Sequence, residues 1–547
     1  MNNRQVIRDI INRSMESLYH PTAEVLGRIV ISYPPQEDLG DYATNAPLIL
    51  AKELGKDPMA VAEEIKGSLS ASTLIAEITV AKPGFLNFKL STTTLQETVG
   101  EILKSKNKYG DIDQEKNRQK IQVEFVSANT TGPLHIGNFR GGPLGDSLAR
   151  VLTKAGHGVQ REYYHNDVGN QVQKLGESIL WWVKKNNGED PGEFPENGYQ
   201  GSYVKELALS SRTLTQDSVT AGDLGKWAVD HFKDKALEIC DKTIIKFDKV
   251  VAESEVRDGG WTKKALDVLA NRKMLKKNAG ATWFAPSDGF LEDRECVVIR
   301  SNGEYDYFSN DIGYHYNKFD RGFSKVINVW GANHHGHVAR MKAAMQALDI
   351  DPDRLDVILY QWVTLLRNGE KLSMSKRAGT FVTAQEVLDE IGSDALRFTF
   401  LTRDASTPLE FDVDLVKKQA RENPVYYVQY AHARMSSILN KAGAVHELPA
   451  ISKLVVPEEL RLLKHLSRFP ELIEDISQTY GVHRLTAYAV TLADLFHKFY
   501  EQCPVLSDRN NGLSSDVSAA RVVLVKAAKI VLAETLNLLG VSAPEKM

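Results

Sequence analysis

Two short segments of this 547-residue chain combine residue types and spacings suited to work on phosphate. The first is the turn Thr131-Gly132-Pro133-Leu134-His135-Ile136-Gly137-Asn138, which leads into a helical pattern. The first turn of a helix offers unpaired backbone N–H groups and a partial positive charge, which suits a triphosphate. Gly137 lets a nucleotide approach the backbone where a side chain would block it. His135 can donate a hydrogen bond to phosphate oxygens as charge develops. Taken alone, the same residues also describe a glycine-containing helix cap with a surface histidine. The second segment is Gly369-Glu370-Lys371-Leu372-Ser373-Met374-Ser375-Lys376-Arg377-Ala378-Gly379. A glycine-flanked loop carrying Lys371, Lys376 and Arg377 could close over a pyrophosphate leaving group; the plain alternative is a solvated basic loop.

Metal and thiol chemistry find less support. The cysteines Cys240, Cys296 and Cys503 are far apart and form no C-x-x-C pair, so neither a disulfide framework nor a thiolate zinc site is expected. The cluster Asn333-His334-His335-Gly336-His337 has no carboxylate or thiolate adjoining it, and no metal site is expected there.

These residues need elements to hold them. Apolar residues at helical spacing predict a helix over 2–19, with a second around 46–54. Strands at 76–80 and 85–90 join through Lys82-Pro83-Gly84, giving a compact α+β unit that ends in a charged linker at 104–120. A strand at 121–127, a tight turn and a helix over 137–156 open a parallel α/β nucleotide-binding domain, and 159–164 supplies its next strand. Residues 172–290 read as mostly helical material inserted between the halves of the sheet. Strands return at 296–300, 326–330 and 357–363, before the polar loop 367–379. After about residue 410 the chain is helical. The domains expected are 1–115, 116–400 with the insertion, and 401–547.

Composition agrees with a soluble, intracellular chain. Hydrophobic residues are 42%, charged residues 25% and the net charge is −4, which neither announces nor excludes a nucleic-acid partner. No apolar run reaches the length needed to cross a bilayer, and the N-terminus lacks an export segment.

The two phosphate-suited segments, in this order and at this separation, resemble the paired signatures of class I aminoacyl-tRNA synthetases. Longer strings narrow the resemblance to the arginyl-tRNA synthetases. They include V-E-F-V-S-A-N-T-T-G-P-L-H-I-G-N-F-R-G (123–141), R-E-Y-Y-H-N-D-V-G-N-Q (161–171), Y-F-S-N-D-I-G-Y-H (307–315), V-W-G-A-N-H-H-G (329–336) and M-S-K-R-A-G (374–379). N-P-V-Y-Y-V-Q-Y-A-H-A-R (423–434) and L-G-V-S-A-P-E-K-M (539–547) are similar to the end domain of that family, G-D-Y-A-T-N-A (40–46) and K-P-G-F-L-N-F (82–88) to its N-terminal domain.

The resemblance implies a multidomain α/β fold: a Rossmann-type parallel-sheet catalytic domain, an α+β N-terminal domain that contacts tRNA, and an all-α C-terminal anticodon-binding domain. It implies activation of arginine by ATP, with Mg²⁺, to an adenylate plus pyrophosphate, then transfer to the terminal ribose of tRNA(Arg), by a cytoplasmic enzyme that is monomeric by family default. His135, Gly137 and Asn138 would meet the phosphates, with Asn333, Met374 and Ser375 also at the nucleotide, and Lys376 would close on pyrophosphate. A guanidinium is a fixed, always charged fork of donors, so its pocket needs carboxylates and planar acceptors. Glu124, Tyr307 and Asp311 stand at the arginine-binding positions of the family. Ser127 and Asn129 would hold the backbone end of the amino acid, and His334 would stand at the pocket edge. Tyr426, Tyr427, Tyr430 and Met547 are the anticodon candidates, Asn45 a contact to the tRNA elbow.

Three positions depart from the family pattern. Asn138 replaces the second histidine of the first signature, Asn333 an aspartate, and Ser373 the first lysine of the second signature. Members lacking that lysine can carry one just before the first signature, but here that place is Gly132. Lys371 is therefore the expected substitute at the β- or γ-phosphate. A cysteinyl-type synthetase is excluded by the missing zinc ligands; a catalytically weakened RNA-binding paralogue is the alternative the departures favour.

Overall fold

The computed structural model describes residues 2–69, 72–113, 118–210, 219–286, 295–372, 382–443, 451–507 and 512–547. The N-terminal helix Asn3–Tyr19 buries Ile7, Ile11 and Met15, the i, i+4 stripe of its sequence. Beside it lies a four-stranded sheet of β1 (Ile31–Ser32), β2 (Tyr42–Thr44), β3 (Ile75–Ala81) and β4 (Phe85–Leu90), in the order β1-β2-β4-β3.

The expected linker at 104–120 begins instead as packed structure. Helix Thr92–Ser105 runs into it, and Tyr109 is buried, stacked on Phe469 and donating its hydroxyl to the Leu466 carbonyl at 3.1 Å. An aromatic residue that can bury its ring and satisfy its hydroxyl outweighs the charged residues around it.

The central sheet is parallel throughout. Its first strands are β5 (Lys120–Glu124), β6 (Gly158–His165) and β7 (Lys249–Ala252), after which the chain makes an excursion. That excursion is a separate antiparallel sheet of β8 (Leu275–Asn278), β9 (Ala281–Phe284) and β10 (Cys296–Ile299). The expected strand at 296–300 thus belongs outside the parallel sheet; its alternating burial suits a sheet with one face toward solvent. The chain then returns to the parallel sheet as β11 (Lys325–Gly331) and β12 (Leu355–Tyr360), completing the order β12-β11-β5-β6-β7. Val326–Val329 are buried on both faces, as a covered parallel strand requires. The edge strand β7 comes from within the 172–290 stretch.

The run 357–363, expected as one strand, is two. β12 ends at Tyr360, and β13 (Val363–Arg367) joins β14 (Glu370–Lys371) and β15 (Leu409–Asp412) in another sheet. The break has a cause: buried Arg140 takes the Gln361 carbonyl at 2.7 Å, together with Thr407 and Asp404 carbonyls, so Gln361 cannot extend the ladder.

C-terminal helices Pro424–Ala442, Pro457–Ser467, Phe469–Thr479, His483–Gln502 and Ser515–Leu539 close the fold. Glu471 joins the two ends of the chain, accepting from Tyr33 Oη at 2.5 Å, Tyr42 Oη at 2.8 Å and the Arg4 amide at 2.9 Å. Arg397, fully buried, bonds Asp146 at 2.6 Å and the Thr243 and Leu539 carbonyls at 2.8 Å each. Among the described residues no helix is long and apolar enough to cross a membrane.

Candidate active site

Chain order reverses across the sheet between β5 and β11, so the loops at their carboxyl ends diverge and leave a crevice. The turn 131–138 opens there. His135 caps helix Ile136–Phe139, its Nδ1 accepting from the Gly137 amide at 2.9 Å. With Nδ1 accepting, the ring proton resides on Nε2, and the histidine can act as a neutral donor. A Cβ on Gly137 would stand 3.0 Å from His135 Nδ1, so the glycine permits this capping contact. Arg140 continues in helical conformation into helix Gly141–Lys154, so the turn heads a helix of several turns. The Asn138 carbonyl accepts from Tyr360 Oη at 3.2 Å, tying the turn to the end of β12.

The same turn is bonded to the residues that follow the second signature loop. The Ile136 amide donates to the Val382 carbonyl at 3.1 Å and the Ala384 amide to the Leu134 carbonyl at 2.8 Å. Ser373, Met374, Ser375, Lys376 and Arg377 themselves lie outside the described residues. Lys371, at the entry to that loop, is exposed on β14, paired with Leu366 of β13. The turn is thus joined at the backbone to the residues just beyond the second segment.

On the amino-acid side, Glu124 ends β5 and the backbone then turns through left-handed conformations at Val126 (φ 66) and Ser127 (φ 35). Such strain in residues other than glycine, of about 1–3 kcal/mol each, is typically held where geometry serves a function. Ser127 Oγ accepts from the Tyr164 amide at 3.1 Å, and Asn129 is exposed on the loop beyond. Asp311 and Tyr307 lie one turn apart on helix Tyr307–Asp320. The Tyr307 hydroxyl is held well above its usual pKa first by the Asp311 carboxylate, then by burial, then by Glu253 and Glu124. Carboxylates near this helix suit the acidic environment a guanidinium needs.

Two of these carboxylates already have basic partners. Glu124 is paired with Lys318 at 2.5 Å, both buried, and Lys318 also donates to Asn328 Oδ1 at 2.9 Å. Asn328 Nδ2 donates to His315 Nε2 at 2.7 Å, and His315 Nδ1 donates to the Asp311 carbonyl at 2.8 Å. Burial holds His315 well below the usual histidine pKa, as this neutral bonding pattern requires. Asp311 in turn meets His337 Nε2 at 2.8 Å. The histidine cluster was expected to lack an adjoining carboxylate; helix packing brings Asp311 to it, a contact across 26 residues that no local pattern announces. Among the described residues no group of three or more His, Cys, Asp or Glu could hold a metal ion. His334 packs on Trp330 with centroids 5.7 Å apart, its pKa lowered by burial and then by His337. Asn333 is exposed and folds its Oδ1 back toward Gly331.

Glu253 was missed by sequence reading. It stands just after β7, 7% exposed, accepting from Asn166 Nδ2 at 2.8 Å and Asn310 Nδ2 at 2.7 Å. Burial raises its pKa; the two amides oppose the rise, while Asp311 and Asp167 add to it. The nearest local signal was the Asn166 within the string 161–171.

Of the expected tRNA-facing residues, all but Asn45 belong to the C-terminal helices and the tail packed on them. Tyr426 and Tyr430 stack at 6.4 Å, and Tyr430 stacks on His497 at 6.0 Å. With Tyr427, Arg421, Asp494 and Lys498 they line a cavity of about 510 Å³ on the C-terminal helices. Tyr427 Oη donates to Asp494 at 2.6 Å. Met547 is 55% exposed at the end of a tail pinned by His432 to the Pro544 carbonyl at 2.8 Å. Asn45 is half-buried; its Oδ1 accepts from the Val30 amide at 2.8 Å, so its amide braces the fold.

Comparison with known proteins covers the whole length. Family models match for an arginyl tRNA synthetase N terminal domain over 5–90, a class I (R) tRNA synthetase catalytic domain over 98–404 and a DALR anticodon binding domain over 428–547. The arginine–tRNA ligase of Dehalococcoides mccartyi (strain CBDB1) is 40% identical over 530 residues, 95% of this chain and 94% of that protein. That of Syntrophotalea carbinolica is 40% identical over 561 residues, covering both chains in full. The arginyl-tRNA synthetase structure from Thermus thermophilus aligns with a TM-score of 0.79 over 100% of both chains at 23% identity, a likeness of fold.

Proposed function

Since the chain belongs to the arginyl-tRNA synthetase family, we propose the following division of labour among its residues. The protein is an ATP-dependent arginine–tRNA ligase, which activates arginine as an adenylate and transfers it to tRNA. The observation that carries the assignment of the site is the gathering of three carboxylates along helix Tyr307–Asp320: Asp311 on the helix itself, Glu253 against Asn310 and Glu124 against Lys318. Asp311 and Glu253 receive the guanidinium, while Glu124, engaged with Lys318, contributes its field and holds the pocket floor. Tyr307 and His334 line the rim, and Ser127 and Asn129 orient the amino-acid end.

The arginine carboxylate then attacks the α-phosphate in line, and pyrophosphate departs. No covalent enzyme intermediate is required, so the protein contributes alignment and charge stabilisation. His135 donates through Nε2, Gly137 leaves the phosphates room beside the backbone and Asn138 donates through its side-chain amide, with Asn333, Met374 and Ser375 at the nucleotide. Lys371 and Lys376 neutralise the leaving group. The carboxylates described at this edge are engaged by Lys318 and His337, so Mg²⁺ would be held chiefly by phosphate oxygens and water, neutralising phosphate charge when bound. A tRNA(Arg) then presents its terminal ribose, with its anticodon at Tyr426, Tyr427, Tyr430 and Met547 and its elbow near Asn45.

The reading assigns 1–115, 116–400 and 401–547 to the tRNA-contacting, catalytic and anticodon-binding domains. It includes a cytoplasmic monomer, in which all three cysteines are buried. The test is ATP–pyrophosphate exchange with arginine, citrulline and lysine, with and without tRNA. Arginine-dependent exchange that citrulline and lysine do not support is expected; exchange with another amino acid, or with none, would sink the reading.

A further inference from the structure

Helices Asn170–Asn186, Ser202–Ser210 and Ala221–Lys242 form a unit with its own core, including Leu175, Ile179, Val204, Leu224 and Ala228. Its foot meets the loop between Asn129 and His135 at two places. Tyr203 Oη donates to the Thr131 carbonyl at 3.1 Å, and the Tyr203 ring covers Gly132, where a Cβ would stand 3.1 Å from Cζ. The ring is held within the unit by an edge-to-face contact with Phe232 at 5.5 Å. The second link runs from Thr130 Oγ1 to His165 Nδ1 at 3.3 Å, and from His165 Nε2 to Asp230 Oδ1 at 3.2 Å. Thr130 and His165 are both buried.

We propose that Tyr203 is a positioning residue for amino-acid activation, fixing the backbone between the arginine-side Asn129 and the phosphate-side His135. The inference rests on the roles given to those two residues under Proposed function. Only five residues separate Asn129 from His135, so a shift at Thr131 changes the separation of the two functional ends directly. In-line attack is sensitive to displacements of an ångström. Gly132 belongs to the same device: without a side chain it admits the ring, and the bare carbonyl of Thr131 receives the hydroxyl. Because the ring is rooted in the helical unit, the geometry of the turn follows the seating of that unit on the sheet.

The test uses the full-length enzyme in arginine-dependent exchange with tRNA present, alongside thermal unfolding. Tyr203→Phe removes the hydroxyl and keeps the ring; the KM for arginine should rise roughly three- to tenfold, the scale of one hydrogen bond, at an unchanged unfolding midpoint. Gly132→Ala should produce a rise of at least threefold in the wild-type background but less than twofold in Tyr203→Leu, since the alanine methyl then meets no ring. Such coupling is not produced by a general loss of stability. Wild-type KM in an active Tyr203→Phe enzyme, or additive effects in the double variant, would overturn the inference alone. An inactive wild-type enzyme would overturn the functional reading, and this inference with it.

Discussion

Replacing Lys318 by methionine leaves the Glu124 carboxylate buried, 3% exposed as a residue, without its cation at 2.5 Å. Asn328 Oδ1 loses its donor as well. Removing one member of a buried ion pair costs about 3–5 kcal/mol, most of it the desolvation of the charge left behind. At about 2.1 cal/mol/K of unfolding entropy per residue, a domain spanning 116–400 loses roughly 1.7 °C for each kcal/mol, so the catalytic domain should melt roughly 5–8 °C earlier. Glu124→Gln alone should do comparable harm by stranding the ammonium. The double variant Glu124→Gln/Lys318→Met removes both charges at similar volume and should recover all but about 1–2 kcal/mol. Differential scanning calorimetry of the three variants, with proteolysis to follow the catalytic domain, reads the cycle. A Lys318→Met protein melting within 1 °C of wild type, or a double variant no better than the worse single, would refute the reasoning.

Other substitutions address the remaining assignments. Glu253 has a raised pKa in the free protein, so its contribution to folding stability is present below its unfolded pKa and declines as pH rises through the folded value. Guanidinium binding favours the ionised form and runs the other way: arginine KM should rise as pH falls through that value, and Glu253→Gln should raise KM while flattening its pH profile. A Glu253→Gln profile that parallels wild type would remove Glu253 from the pocket. Lys371→Ala should lower the exchange kcat about as far as Lys376→Ala, on the order of 10²-fold, as for loss of one charge-stabilising donor; near-normal turnover would end its proposed role. Tyr430→Ala, deleting the stacked ring beside His497, should raise the KM for tRNA by roughly 5- to 100-fold, the worth of one base stack, with KM for ATP unchanged. A filter-binding titration showing wild-type tRNA affinity would contradict it.

Much of the chemistry was legible because it is local. The His135 turn is a cap, a glycine and a helix start within a few residues, and β5 and β6 carry the β-branched and aromatic residues Ile121, Val123, Tyr163 and Tyr164. The pocket was legible in part: Asp311 and Tyr307 share a helix turn. What escaped depended on contacts across long separations. Lys318 reaches Glu124 over 194 residues, and Glu253 reaches Asn310 over 57. A lysine in a helical stretch reads as solvent-facing until the strand that neutralises it is known. The split of 357–363 had the same origin, since the arginine that intercepts Gln361 lies 221 residues away.

The joint at Glu471 sets an order in time. Its donors at Arg4, Tyr33 and Tyr42 leave the ribosome first, whereas the carboxylate they serve comes 467 residues after Arg4. At about 5–20 residues per second that interval is roughly 20–90 s. Throughout it the newly made N-terminal portion carries an unfilled polar seat and the apolar surface around it. A chain that terminates early never fills the seat, so incomplete translation leaves an exposed mark at the end farthest from the break.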